Sequence, residues 1–169
     1  MKKIYITGVS GTGKTTLARA FLDKKLTAYS IDEVPKLCSW INKSTGKKVD
    51  YEAKLDNEFI KSHDWICDPI LLSKLLEVKG DVYVFGISAN QNEFMSLFDK
   101  VIVLQCSSET FLKRILQRED NVFGKEKTAQ DYIVAMYQQF ERDLLEQGAI
   151  SINAEESVEE VVQAILGVA

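Results

Sequence analysis

Residues 8–15 read Gly-Val-Ser-Gly-Thr-Gly-Lys-Thr, a match to the phosphate-binding pattern G-x-x-x-x-G-K-[ST]. The composition has a physical reason. Glycines let successive backbone N–H groups converge on one anion without side-chain obstruction. A helix that begins at the end of the loop points its positive N-terminus at the same anion. Lys14 can reach the β- and γ-phosphates of a nucleotide, and the Thr15 hydroxyl can ligate Mg²⁺. The expected nucleotide-binding set here is Gly8, Ser10, Gly11, Thr12, Gly13, Lys14, Thr15 and Thr16.

Two further groups could act on a phosphate held there. Arg114 and Arg118 are four residues apart, hence on one face of a helix. They are half of the chain's four arginines, the others being Arg19 and Arg142, and such cations stabilise charge during phosphoryl transfer. A solvated helix face is the plainer alternative. Asp32 and Glu33 follow a short β-rich run. A carboxylate beside phosphates is costly unless it meets a metal ion or a substrate proton. The competing role for Asp32 is a helix N-cap ahead of Val34-Pro35.

These residues need a scaffold, and the pattern around them alternates strand and helix. Strands are predicted over 3–7, 28–31, 81–85, 100–105 and 149–152. Helices are predicted over 13–23, 34–42, 69–78, 92–98, 108–118, 128–147 and 157–168, from apolar spacing and caps. Pro35 and Pro69 are both read as helix starts, and Asp68 and Ser157 as caps. Residues 43–67 have no clear period. Five strands separated by helices imply an α/β fold with a parallel sheet covered on both faces. Ligands then bind at the carboxyl ends of the strands.

Composition narrows the partners. The chain has 169 residues, a net charge of −4 and 46% hydrophobic residues. That fits one domain over 1–169 with a sizeable core. The acidic balance argues against a non-specific nucleic-acid binder. Cys38, Cys67 and Cys106 form no CxxC pair and give no disulfide framework. The single histidine, His63, excludes a multi-histidine metal site. No apolar run approaches a membrane span, and the N-terminal run is too short for a signal peptide. A reducing, cytoplasmic setting is expected.

On Gly8 to Thr15, the Arg114 and Arg118 region, and the C-terminal Ile152-Asn153-Ala154 followed by a Val-Glu-Glu-Val-Val helix, the chain resembles the adenylate kinase-like P-loop kinases. These include nucleoside monophosphate kinases, shikimate kinase and gluconate kinase. The resemblance implies a P-loop NTPase three-layer α/β/α sandwich with sheet order 2-3-1-4-5. It implies ATP and Mg²⁺ as cofactors, a small-molecule acceptor, and a monomer or homodimer. It also implies a short lid at about 118–128, in which Arg118, with Arg114, clamps the transferring group. Asn153 and Ala154 would lie against the adenine. Asp32 would orient the acceptor hydroxyl or the metal's water shell. The acceptor region would fall at about 32–90.

Two departures qualify that picture. The strand over 81–85 ends Phe85-Gly86-Ile87-Ser88, with no Walker B aspartate, which shifts the metal role to Thr15, Asp32 and water. Gly86 stands where such kinases keep a small residue for substrate approach. The span 32–90 also contains no arginine, the residue that best matches phosphate or carboxylate. Trp40, Tyr51, Phe59, His63 and Trp65 are there instead, and aromatic faces could stack on a ring. The expected activity is ATP-dependent phosphoryl transfer to a neutral or aromatic small molecule. The alternatives are an ATPase acting with a macromolecular partner and a nucleotide-binding regulatory module.

Overall fold

The computed structural model describes residues 1–49, 57–117 and 124–169. Five strands form one parallel sheet: β1 (Lys3–Thr7), β2 (Thr27–Ser30), β6 (Val82–Phe85), β7 (Lys100–Gln105) and β8 (Ile150–Asn153). Their spatial order is β2-β6-β1-β7-β8. Counted along the chain, that is the expected 2-3-1-4-5. β1 is central, with Tyr5 opposite Val84 on one side and Val101 on the other.

Both faces of the sheet are covered, as a parallel sheet requires. Alternate residues of each strand feed opposite cores. Ile4 and Ile6 pack with Phe21 of α1 (Lys14–Asp23), Phe111 and Ile115 of α4 (Ser108–Gln117), Ile133 of α5 (Lys127–Glu146), and Val162 and Ile165 of α6 (Val158–Val168). Tyr5, Val82 and Val84 face the other way, against Leu72 of α3 (Pro69–Leu75) and Phe94 and Phe98. Two caps fall where the sequence puts them. Asp68 accepts from the backbone N–H groups of Ile70 and Leu71 ahead of Pro69. Ser157 and Glu160 close a capping box at the start of α6.

The segment after β2 departs from expectation. The helix predicted over 34–42 is instead a turn followed by strand β3 (Cys38–Asn42). Lys36 adopts a left-handed φ of 66°, which a continuing helix excludes. Trp40 and Ile41 then find cross-strand partners, and that tertiary pairing overrides the weak helical spacing. β3 pairs antiparallel with β4 (Lys48–Val49) and with β5 (His63–Cys67), which follows α2 (Asn57–Ser62). This small insert is the one sheet that the sequence pattern does not announce. The helix predicted over 92–98 is two short 3₁₀ turns, Gln91–Glu93 and Met95–Leu97. Tyr51 and Arg118, and most of the expected lid, lie outside the described residues.

Candidate active site

The phosphate loop leaves the end of β1 and turns into α1 at Gly13, whose φ of 96° is left-handed. A Cβ on Gly13 would meet nothing within 4 Å. The residue lines a cavity and faces open space there. The loop braces itself. Thr12 donates its hydroxyl to the Val9 carbonyl at 2.9 Å. The Lys14 ammonium donates to the carbonyls of Gly8 and Val9 at 2.6 and 2.9 Å.

The loop forms the floor of a cavity of about 1240 Å³. Ligand pockets commonly measure about 300–1,000 Å³, so this one has room for two substrates. Ser10, Gly11, Thr12, Gly13, Lys14, Thr15, Thr16, Asp32, Arg114 and Ala154 all line it. Gly8 does not line it and contributes its carbonyl to Lys14 instead. Asn153 is also off the cavity. Its side chain accepts from Glu155 N at 3.0 Å and donates to Glu156 at 3.0 Å, an Asx turn.

Arg114 and Ala154 meet directly. The guanidinium donates to the Ala154 carbonyl at 2.9 Å, tying α4 to the end of β8. Tyr132 and Met136 of α5 present exposed apolar surface to the same end of the cavity.

At the other end stands Asp32. No helix follows it, so it caps none. Its Oδ1 accepts a 2.8 Å hydrogen bond from the indole Nε1 of Trp65. Asp32 is open to the cavity, yet desolvation by the protein packed around it pushes its carboxyl above the usual aspartate range, against the opposing pull of the Trp65 hydrogen bond and the Lys14 charge. Its neighbour Glu33 is committed to Arg19 at 3.0 Å. Trp40 and Trp65 are cross-strand partners with ring centroids 5.3 Å apart, and both line the cavity. Asp64 pairs with Lys43 at 3.2 Å.

His63 is held as a structural hydrogen-bonding residue. Its ring stacks on Phe59 at 4.0 Å, and its Nδ1 lies 3.0 Å from the Phe59 carbonyl. A carbonyl only accepts, so Nδ1 carries the proton. Nε2 then accepts from Asn42 Nδ2 at 3.3 Å.

Gln91 is a cavity residue that the sequence reading did not find. It is only 7% exposed and lines the cavity. Its Oε1 lies 3.3 Å from the Tyr5 hydroxyl and 3.2 Å from the Thr7 hydroxyl. The only available signal was a polar residue just past a strand lacking the Walker B carboxylate. Gly86 also differs from expectation. A Cβ there would fall 2.2 Å from Cγ1 of Ile31, so this glycine makes room for a core side chain.

The donor set suits magnesium. Among the described residues no three His, Cys, Asp or Glu side chains gather as a metal site. Thr15 and Asp32 offer one hydroxyl and one carboxylate on the same cavity. Mg²⁺ is commonly held this way, with phosphate oxygens and waters completing its shell.

A glycine-rich loop between a central parallel strand and a helix, on a 2-3-1-4-5 sheet, is a P-loop arrangement. The chain belongs to the AAA domain family, which it matches over residues 4–133. No curated protein sequence matches it. Solved structures do, across nearly the whole chain. A shikimate kinase from Acinetobacter baumannii in complex with shikimate is 18% identical, with a TM-score of 0.65, covering 99% of this chain and 92% of that one. A gluconokinase from Sinorhizobium meliloti is 14% identical, with a TM-score of 0.56 and coverage of 98% and 90%. A deoxyadenosine kinase from M. mycoides is 19% identical, with a TM-score of 0.54 and coverage of 98% and 96%. At these identities the likeness is one of fold. This AAA domain therefore shares the architecture of small-molecule kinases. No helix among the described residues is long and apolar enough to cross a membrane.

Proposed function

We propose that the chain is an ATP-dependent phosphotransferase acting on a small molecule, with residues 1–169 working as one domain. The observation that carries this reading is the convergence of Lys14, Thr15, Asp32 and Arg114 on one cavity large enough for donor and acceptor. Residues 10–16 hold the phosphates of ATP, and Ala154 lies toward the base. Thr15 would hold Mg²⁺ directly and Asp32 through the ion's water shell; when bound, the ion supplies charge neutralisation across the phosphates. Lys14 leaves the loop carbonyls for the β- and γ-phosphate oxygens. Arg114, with Arg118 from the lid at about 118–128, stabilises charge on the transferring group.

Trp65 occupies Oδ1 of Asp32, and Oδ2 is the oxygen offered to the acceptor. Asp32 accepts the acceptor's hydroxyl proton as its oxygen bonds to the γ-phosphorus and ADP departs. A carboxyl raised by desolvation is a stronger base than an ordinary aspartate. The acceptor region at about 32–90 lacks arginine, Lys43 is held by Asp64, and the wall is formed by Trp40 and Trp65. That wall favours a neutral acceptor with a flat or apolar face over a nucleotide or a sugar acid.

The test is ADP release from MgATP across nucleosides, nucleoside monophosphates, polyols, sugar acids and amino alcohols, with Lys14→Ala as control. Strong stimulation by a neutral class, lost in Lys14→Ala, is the expected result. Stimulation by monophosphates would refute the acceptor argument. Slow, acceptor-independent turnover would favour an ATPase with a macromolecular partner.

A further inference from the structure

The small antiparallel sheet places two cysteines opposite each other. Cys38 in β3 and Cys67 in β5 are register partners. Two hydrogen bonds at the ends of that ladder fix its phase. Lys43 N donates to Ser62 O at 2.9 Å, and Asp68 N donates to Leu37 O at 2.9 Å. Hydrogen-bonded and non-hydrogen-bonded pairs alternate along antiparallel strands. Leu37 and Asp68 form a bonded pair, so the adjacent pair, Cys38 and Cys67, is non-bonded.

The backbone of Cys67 bears this out. Its N–H goes to Asn90 Oδ1 at 3.0 Å, and its carbonyl accepts from Asn90 Nδ2 at 2.9 Å. Both groups point away from β3. Non-bonded pairs bring Cα atoms to about 4.5 Å with their side chains closest. That falls within the roughly 4.4–6.8 Å span of disulfides. As directly opposed residues, the two cysteines present their side chains on the same face of the small sheet. Cys67 is fully buried, while Cys38 is partly open to solvent.

We propose that Cys38 and Cys67 are a modification site, a cross-strand dithiol that closes to a disulfide by exchange with a low-molecular-weight disulfide. Cys38, the accessible partner, gives up its proton and attacks one sulfur of the small disulfide. That S–S bond breaks and one small thiol leaves. Cys67 then loses its proton and attacks Sγ of Cys38, expelling the second small thiol. Two protein thiols are oxidised, and one small disulfide is reduced to two thiols. The neighbouring thiol, and then burial, hold the Cys38 thiol well above its usual range, so the first step is slow and needs excess oxidant.

Closure ties together the two ends of the segment that carries β3, β4, α2 and β5, and so fixes the strands bearing Trp40 and Trp65. Cys106 packs in the core on the opposite face of the main sheet and takes no part. The proposal does not depend on the phosphotransfer reading.

The test incubates the full chain with excess oxidised glutathione, quenches with acid, then counts thiols under denaturing conditions and measures the intact mass. The expected result is a fall from three free thiols to one, with the loss of two hydrogens and no retained glutathione. Peptide mapping should join Cys38 to Cys67, a dithiol reductant should reverse the change, and the oxidised form should melt at higher temperature. Cys106→Ser should still close. Cys67→Ala should stop at a glutathione adduct on Cys38. Because Cys67 lies in the core, Cys38→Ala provides a second variant, expected to keep both remaining thiols. In the unsubstituted chain, three thiols surviving prolonged oxidation, an adduct on Cys38 that never resolves, or a link to Cys106 would each overturn the proposal.

Discussion

The indole of Trp65 donates to Oδ1 of Asp32 at 2.8 Å, joining the small antiparallel sheet to the turn that follows β2. The bond orients the carboxylate and opposes the effect of desolvation on its ionisation. Trp65→Phe keeps a ring beside Trp40 and removes only the donor. Asp32 should then titrate still higher, because a hydrogen bond to its charged form is lost. If Asp32 is the base, the acidic limb of kcat/KM moves to higher pH and the rate recovers in alkali. An unmoved limb, with only KM altered, would make Trp65 a wall residue and Asp32 a bystander.

Gly13 separates binding from stability. Its left-handed φ of 96° strains any other residue, while a Cβ there meets no protein atom. Gly13→Ala should cost about 1–2 kcal/mol of stability from backbone conformation alone. The methyl group projects toward the phosphate site, so nucleotide affinity should fall by a larger factor than that strain accounts for. Urea unfolding and nucleotide titration on the same preparation check this. Equal affinity in variant and parent would place the phosphates elsewhere.

Gly86 and Ile31 are coupled by contact. A Cβ on Gly86 would overlap Cγ1 and Cδ1 of Ile31 at 2.2 and 2.4 Å. Gly86→Ala should therefore destabilise by about 1–3 kcal/mol through overpacking. Ile31→Ala alone should cost about 2–5 kcal/mol by opening a cavity. The double variant should be more stable than the sum of the two predicts, because the new methyl group fills part of the space. Additive losses in a double-mutant cycle would show that the glycine serves some other contact.

The parallel sheet and its order were legible because local signals agreed. Gly8 to Thr15 sits between a β-rich run and a helical one, and Asp68 and Ser157 cap where their chemistry suggests. The insert was not legible. The spacing of Val34, Leu37 and Ile41 suits a helix, and only pairing with a distant segment makes 38–42 a strand. Everything that insert supplies, from the Trp65 bond to Asp32 to the meeting of Cys38 and Cys67, depends on register, which is tertiary information. Gln91 was missed for a similar reason. Its side-chain partners, Tyr5 and Thr7, lie on β1, far away in sequence. Asn153 had two roles open, and the hydrogen bonds place it in the turn.

Glu155 gives the clearest pH signature. Its Oε1 accepts from Ser107 N at 2.8 Å and from the Thr110 hydroxyl at 2.9 Å, binding the turn after β8 to the start of α4. Hydrogen bonds from Ser107, then from Thr110, bring its carboxyl down from 4.5 to about 2. A depressed carboxylate stabilises the fold above its unfolded pKa, and that contribution is lost as pH falls through the folded value. The loss should spread over the window from 4.5 to about 2. Glu155→Gln should be less stable than the parent near neutrality, and the gap should close across that window. Denaturant unfolding at several pH values measures it. The same bonds sit beside the contact of Arg114 with the Ala154 carbonyl, so the variant should also weaken nucleotide binding near neutrality. A gap that persists below the window would mean that the side chain acts through packing, with its charge playing no part.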